Sequence, residues 1–400
     1  MQLLELPLDI LKIVIKFTVQ ELRLKSMKTR LTCRTFANEI FDAVITTRVI
    51  EDAAIYSLGL FRIAYHHNVI ARYLYHRVCT DGSVTHPWIT TIRETSQMLA
   101  QHTSLENDAA RVELIERGAC LCLAVNAGCG VFRVMKREEK DDRAQLEGCT
   151  WANCLAIAAW IGDKTLVEAL NKGSDPPSFF GRPSWAAAAQ GHADILQFFL
   201  DEGALPYEPT FVAGPNFSRS KSPLGAAAYM GQENTARLYI RPPYYCSETQ
   251  LEEKTAVYFA AQGNQPTTLK VLLEHCRENS TPQEFLSIID GALVWSCRRG
   301  ATICAQILLD YGADVNESDT APRSCLQLAV IAGNAPIVKM LLDAGASLEA
   351  DGMVHRRSST ILTQRKRQKD ALTEAYRRDN TAIIKMIEDR RELIREGLLR

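Results

Sequence analysis

The sequence predicts an all-α chain, a short N-terminal helical bundle followed by a solenoid of helical repeats. Three observations carry that expectation. Turn glycines recur at 162, 191, 231, 263, 300 and 333, spaced 29, 40, 32, 37 and 33 residues apart. Between them the apolar residues follow a helical rather than an alternating period. Small pairs stand ahead of several turns, Ala158/Ala159, Ala187/Ala188, Ala227/Ala228 and Ser296/Cys297, and let neighbouring helices approach closely.

Six segments repeat this plan: 155–175, 185–204, 224–240, 257–276, 293–319 and 326–352. In each, a short apolar helix ends at a glycine able to take the left-handed conformation. A second helix follows and closes on paired large apolar residues such as Phe199/Leu200, Leu308/Leu309 and Leu341/Leu342. Pro266 and Pro336 stand three residues past their glycines, near the first turn of that second helix, where a missing N–H is harmless. One unit cannot bury its apolar face alone; a stack can, at about 1.5–3 kcal/mol per large side chain.

These segments resemble ankyrin repeats, and DYGADVNESD at 310–319 matches that family's loop most fully. The resemblance spans 151–352, about six repeats. It implies a partner surface on the concave side, built from the residues just before each turn. These are Trp160, Ile161, Tyr229, Met230, Gln262, Arg298, Arg299 and Ile331, together with loop residues Asp314 and Asn316. Residues 49–150 read as degenerate repeats: 60–76 as a pair turning at Asn68, 108–119 as an outer helix, and 119–139 as a small-residue helix with Gly128. Residues 353–370 form a basic loop holding Arg356, Arg357, Arg365, Lys366, Arg367 and Lys369. It reads as a solvated loop or as a nuclear-import or anion-binding cluster. Residues 371–400 read as a terminal degenerate repeat with Asn380 in the glycine place.

Residues 1–48 do not follow the repeat. Leu6-Pro7 precede a helix with Ile10, Leu11 and Val14 on one face, and Leu31, Cys33-Arg34 and Phe36 come later. This segment resembles the F-box. The resemblance implies that Leu6, Pro7, Ile10, Leu11, Val14, Cys33 and Phe36 dock on the Skp-type adaptor of a cullin ubiquitin ligase, while the repeats bind a protein substrate. The alternative is a stand-alone ankyrin scaffold whose N-terminal helices only cap the stack.

Composition narrows the classes further. Lys plus Arg number 46 and Asp plus Glu 47, so the formal charge of −1 supplies no general basic field for nucleic acid or an anionic membrane. No run of 18 uncharged apolar residues occurs, and the first residues lack a basic leader. A soluble protein of the cytoplasm or nucleus is therefore expected. The 12 cysteines are scattered without a paired framework, which predicts reduced, buried thiols and no metal. Phosphate-binding loops, nucleophile elbows and metalloprotease motifs do not occur in the sequence, so neither an enzyme nor a cofactor is expected.

Overall fold

A computed structural model describes residues 12–13, 15–16, 34–47, 67–81, 86–102, 109–127, 131, 150–173, 175–205, 222–316, 323–348 and 370–396. Among these residues all regular structure is helical. The helices fall into two compact units, and the division lies between Ala187 and Ala188.

The first unit contains α1 (Arg34–Thr46), α2 (His67–Thr80), α3 (Pro87–Gln101), α4 (Ala109–Ala127), α5 (Thr150–Ile161) and α6 (Lys164–Leu170). Helix α4 packs on α2, α3 and α5, and α1 packs on α2. The core is large and aliphatic: Ile70, Tyr73, Leu74, Ile89, Ile92 and Leu99 are fully buried. Arg77 is buried with them because Tyr73 accepts from Nη1 at 2.8 Å and Asp81 from Nε. Arg93 Nε of α3 donates to the Val78 carbonyl at 3.1 Å, satisfying an end carbonyl of α2.

Two expectations for this unit are corrected. Asn68 lies in the first turn of α2, so no turn occurs at that residue, while residues 60–66 of the expected pair lie outside the described residues. Helix α4 is continuous, so the segments 108–119 and 119–139 do not divide at residue 119. Gly118 sits inside α4 as a point of close approach: a Cβ there would lie 3.2 Å from Ile161 Cγ2.

Helix α7 (Pro183–Gln190) carries the division and α8 (Ala193–Asp201) follows it, after which the second unit builds two rows. The inner row is α9 (Pro223–Met230), α11 (Ser247–Gly263), α13 (Pro282–Arg299), α15 (Cys325–Ala332) and α17 (Ala371–Arg377). The outer row is α10 (Glu233–Tyr239), α12 (Pro266–Asn279), α14 (Thr302–Asp310), α16 (Ala335–Asp343) and α18 (Thr381–Arg395). Each helix packs on the next of its own row. Small side chains permit this in the inner row, where Ala226, Ala227, Ala228, Ala260 and Ala261 are buried.

Caps explain where the inner helices begin. Ser222 Oγ accepts from Gly225 N at 3.0 Å, and Asp370 Oδ1 accepts from Thr373 N at 2.8 Å. Thr281 with Glu284, and Ser324 with Gln327, form reciprocal capping boxes. The Thr281 box starts α13 eleven residues earlier than the repeat pattern at 293 suggests, and α11 likewise begins at Ser247.

The turns hold to the expected positions at Gly162, Gly191, Gly231, Gly300 and Gly333, all with positive φ. Two differ. Asn264 (φ 57°) and Asp379 (φ 53°), rather than Gly263 and Asn380, take the left-handed place. Gly263 remains helical and is glycine for another reason: a Cβ there would stand 2.1 Å from the Tyr229 carbonyl oxygen. Asn380 instead caps α18 by accepting from Ile383 N at 3.3 Å.

Side chains at the start of the outer helices tie successive repeats together. Gln232 Nε2 donates to Ala189 O, and Gln265 Nε2 to Tyr229 O, each at 3.3 Å. Asn334 Nδ2 donates to Gly300 O at 3.0 Å. The equivalent residue before α14 is Ala301, which has no such side chain.

Candidate functional site

The turn ends of the inner row bring together most of the residues expected to face a partner. Arg298 is exposed, with its guanidinium 5.1 Å from the ring centre of Trp295 one helical step earlier. Arg299 turns toward the neighbouring repeat. With the Gln262 amide oxygen facing it, Nε and Nη2 donate at 3.1 and 2.7 Å. Tyr229, Met230 and Ile331 are half-buried at the corresponding ends of α9 and α15.

The loop residues are committed to structure. Asp314 N donates to Asp290 Oδ1, and Asp314 Oδ1 accepts from Asn316 N, both at 2.8 Å. The Asn316 amide donates to Gly345 O at 3.1 Å and accepts from Ser347 N at 2.8 Å. Asn316 thereby joins its loop to that of the next repeat, and both halves of its amide are used within the fold.

Trp160 departs from the expectation. It is 3% exposed and stacks on Trp185 with ring centres 6.1 Å apart. Helix α5 is buried without interruption from Ala152 to Trp160, so its last turn packs inward. Ile161 is half-buried against α4. Of the residues named for an adaptor, Leu6, Pro7, Ile10, Leu11, Val14 and Cys33 lie outside the described residues, as does the side chain of Phe36 in α1.

A buried polar cluster went unread in the sequence. Glu253 of α11 accepts from His275 Nδ1 at 2.7 Å and from the Tyr245 hydroxyl at 3.1 Å. The Tyr245 and His275 rings meet edge-on at 4.7 Å. Asn279 Nδ2 approaches His275 Nε2 at 3.4 Å, which places the imidazole proton on Nδ1, toward the carboxylate. Burial, and then the Glu253 carboxylate, push the Cys276 thiol far up. That thiol stays protonated, and the carboxylate is occupied by its donors. The arrangement clamps the 241–246 segment onto α11 and α12.

The described cysteines are free thiols. Cys120 and Cys122 are buried in α4, and Cys122 Sγ donates to Phe180 O at 3.3 Å. Burial raises Cys154 to about 11 and Cys304 to about 12. These are packing residues at helix contacts.

Comparison with known proteins fits this geometry. A family model described as ankyrin repeats (3 copies) matches residues 259–352. The ankyrin repeat domain-containing protein SAT10 of Stachybotrys chartarum is 28% identical over 201 residues, covering 49% of this chain and 10% of that protein. The chain thus spans about a tenth of the length of the curated relative it matches. Among solved structures, the human ASB11 ankyrin repeat domain matches at 18% identity and a TM-score of 0.41, covering 59% of this chain and 96% of that one. The ankyrin repeat domain of Bcl-3, a member of the IkappaB family, matches at 20% identity and a TM-score of 0.35, covering 48% and 86%. The described residues form an all-α helical repeat, and residues 259–352 match the ankyrin-repeat family model. Among the described residues, no helix is long and apolar enough to cross a membrane.

Proposed function

We propose that this chain is a non-enzymatic protein-interaction adaptor of the cytoplasm or nucleus. Its ankyrin repeats hold a protein partner, and residues 1–48 dock on a Skp-type adaptor of a cullin ubiquitin ligase. The observation that carries the first part is the row of accessible inner-helix ends, with Tyr229/Met230, Gln262, Arg298 and Ile331 at matching positions in four successive repeats. Arginine and large apolar groups dominate binding energy when such a surface is covered. The second part rests on the F-box-like residues Leu6-Pro7, Ile10 and Cys33.

Capture of the Skp adaptor by the full chain tests the ligase connection. Pro7→Ala combined with Ile10→Asp should abolish capture, because an unpaired carboxylate would enter the interface. The thermal transition of the repeats should not move.

One observation favours the capping alternative. Helix α1 packs on α2, burying Ile40, Ala43, Val44 and Ile45, and Asp42 pairs with Arg72. If the wild type never captures the adaptor, or the double variant melts the stack, residues 1–48 are a cap and the chain is a stand-alone scaffold.

A further inference from the structure

We propose that the inner-row ends around α13 receive an acidic segment of the protein partner, with a partner carboxylate seated on Arg298. This rests on the reading of that row as the partner surface and adds the chemistry of what binds there. The last turns of α9, α11 and α15 carry no charged side chain, whereas α13 ends in Arg298 and Arg299 and α17 in Arg377. Glu374, in the first turn of α17, is buried and taken by Arg378 at 2.9 Å and Arg377 at 3.5 Å. Apart from Asp379 in the turn after α17, the accessible charges at these ends are therefore positive among the described residues.

Arg299 is committed to Gln262, but among the described residues Arg298 is paired with no carboxylate. Its contact is the face of Trp295, which holds the guanidinium without using its N–H donors. A cation at a helix C-terminus stabilises that end, which accounts for an arginine there but not for its exposed seat on an aromatic ring. A guanidinium ordered in advance loses less freedom on binding and presents a planar fork that fits a carboxylate. Half-buried Ile331 on the next repeat offers apolar surface on one side, and half-buried Met230 lies two repeats along the row on the other. The occupant is thus an extended polypeptide with a carboxylate next to an apolar side chain. A nucleic-acid backbone fits poorly, because it would require a longer run of cations than these few.

The test uses the full chain and two fluorescein-labelled 12-residue peptides, one repeating Glu-Ser-Leu and the other with every Glu changed to Gln. Anisotropy titration at low salt should show the Glu peptide binding at least about tenfold more tightly, with the difference shrinking as salt rises. Arg298→Gln should reduce the Glu peptide to the level of the Gln peptide, and Trp295→Leu should weaken it severalfold. Arg298→Lys should retain part of the preference.

Equal affinity for the two peptides, no effect of Arg298→Gln, or displacement of the Glu peptide by a single-stranded oligonucleotide of matched charge would each overturn the proposal. If both peptides bind equally and Met230→Asp abolishes both, the partner surface stands and only the acidic preference falls. If neither binds, the proposal fails and the partner surface loses its support. Far-ultraviolet circular dichroism of each variant shows that the helices are retained.

Discussion

His275 Nδ1 lies 2.7 Å from Glu253 Oε1, across the contact between α11 and α12, and the Glu253 side chain is 2% exposed. A carboxylate so enclosed is tolerable only while donors surround it. Glu253→Ala should leave His275 and the Tyr245 hydroxyl without their acceptor and lower stability by about 3 kcal/mol. Glu253→Gln keeps the volume and one acceptor and should cost less. Urea midpoints of the two variants check the order, and an unchanged midpoint for Glu253→Ala would refute the clamp.

Asp163 gives the stack a pH dependence. Burial works against its charge, yet the Thr165 hydroxyl, the Leu166 N–H and Arg111 together hold its carboxyl below the ordinary 3.8. Because the folded value is the lower one, its stabilising contribution is complete above the ordinary value and is lost as pH falls through the folded value. Thermal melts should show Asp163→Ala costing about 1 kcal/mol at pH 7. The difference from wild type should shrink as pH falls below 3.8, and a gap that stayed constant would assign the loss to packing instead.

The fourth turn separates two roles that glycine can play. Gly263→Ala should destabilise by more than the roughly 1 kcal/mol range of helix propensity and in the opposite direction, since its Cβ would meet the Tyr229 carbonyl oxygen. Asn264→Gly relieves a positive φ and should be neutral or slightly stabilising. A stabilising Gly263→Ala would show that the backbones can separate.

Thiol labelling should follow burial. Cys79 is exposed, whereas Cys120, Cys122, Cys276, Cys297, Cys304 and Cys325 are buried. Maleimide on the native chain, read by peptide mapping, should among the described cysteines modify Cys79 first and the buried set only after urea. Labelling of Cys122 at the rate of Cys79 would contradict the packing of α4.

The repeat was legible because its signals are local. A glycine at the turn, alanines ahead of it and paired leucines after it impose one geometry on a short stretch of chain, as at Gly333 and Leu341/Leu342. Helix α4 was misjudged for the complementary reason, and α13 because a local signal was passed over. Gly118 resembles a stop signal, but its role is contact with Ile161, and that is decided by a distant helix. The Thr281-to-Glu284 box was visible in the sequence and would have started α13 correctly. For the candidate site, Arg298 and Arg299 could be placed by spacing, but spacing could not tell which would turn to Gln262 and which to Trp295. Trp160 sits at the same repeat position as Tyr229, Arg298 and Ile331, which are half-buried or exposed, yet it stacks on Trp185 and is part of the core.

The side-chain ties from Gln232, Gln265 and Asn334 have a mechanical consequence. Each reaches back to a carbonyl of the preceding repeat, so under tension from the C-terminus each resists until its own repeat peels away. At about 3.3–3.6 Å per residue, a unit of about 33 residues releases roughly 110–120 Å of chain. The force trace should then be a sawtooth, and the repeat that enters α14 through Ala301 is held back instead by Arg299 on Gln262.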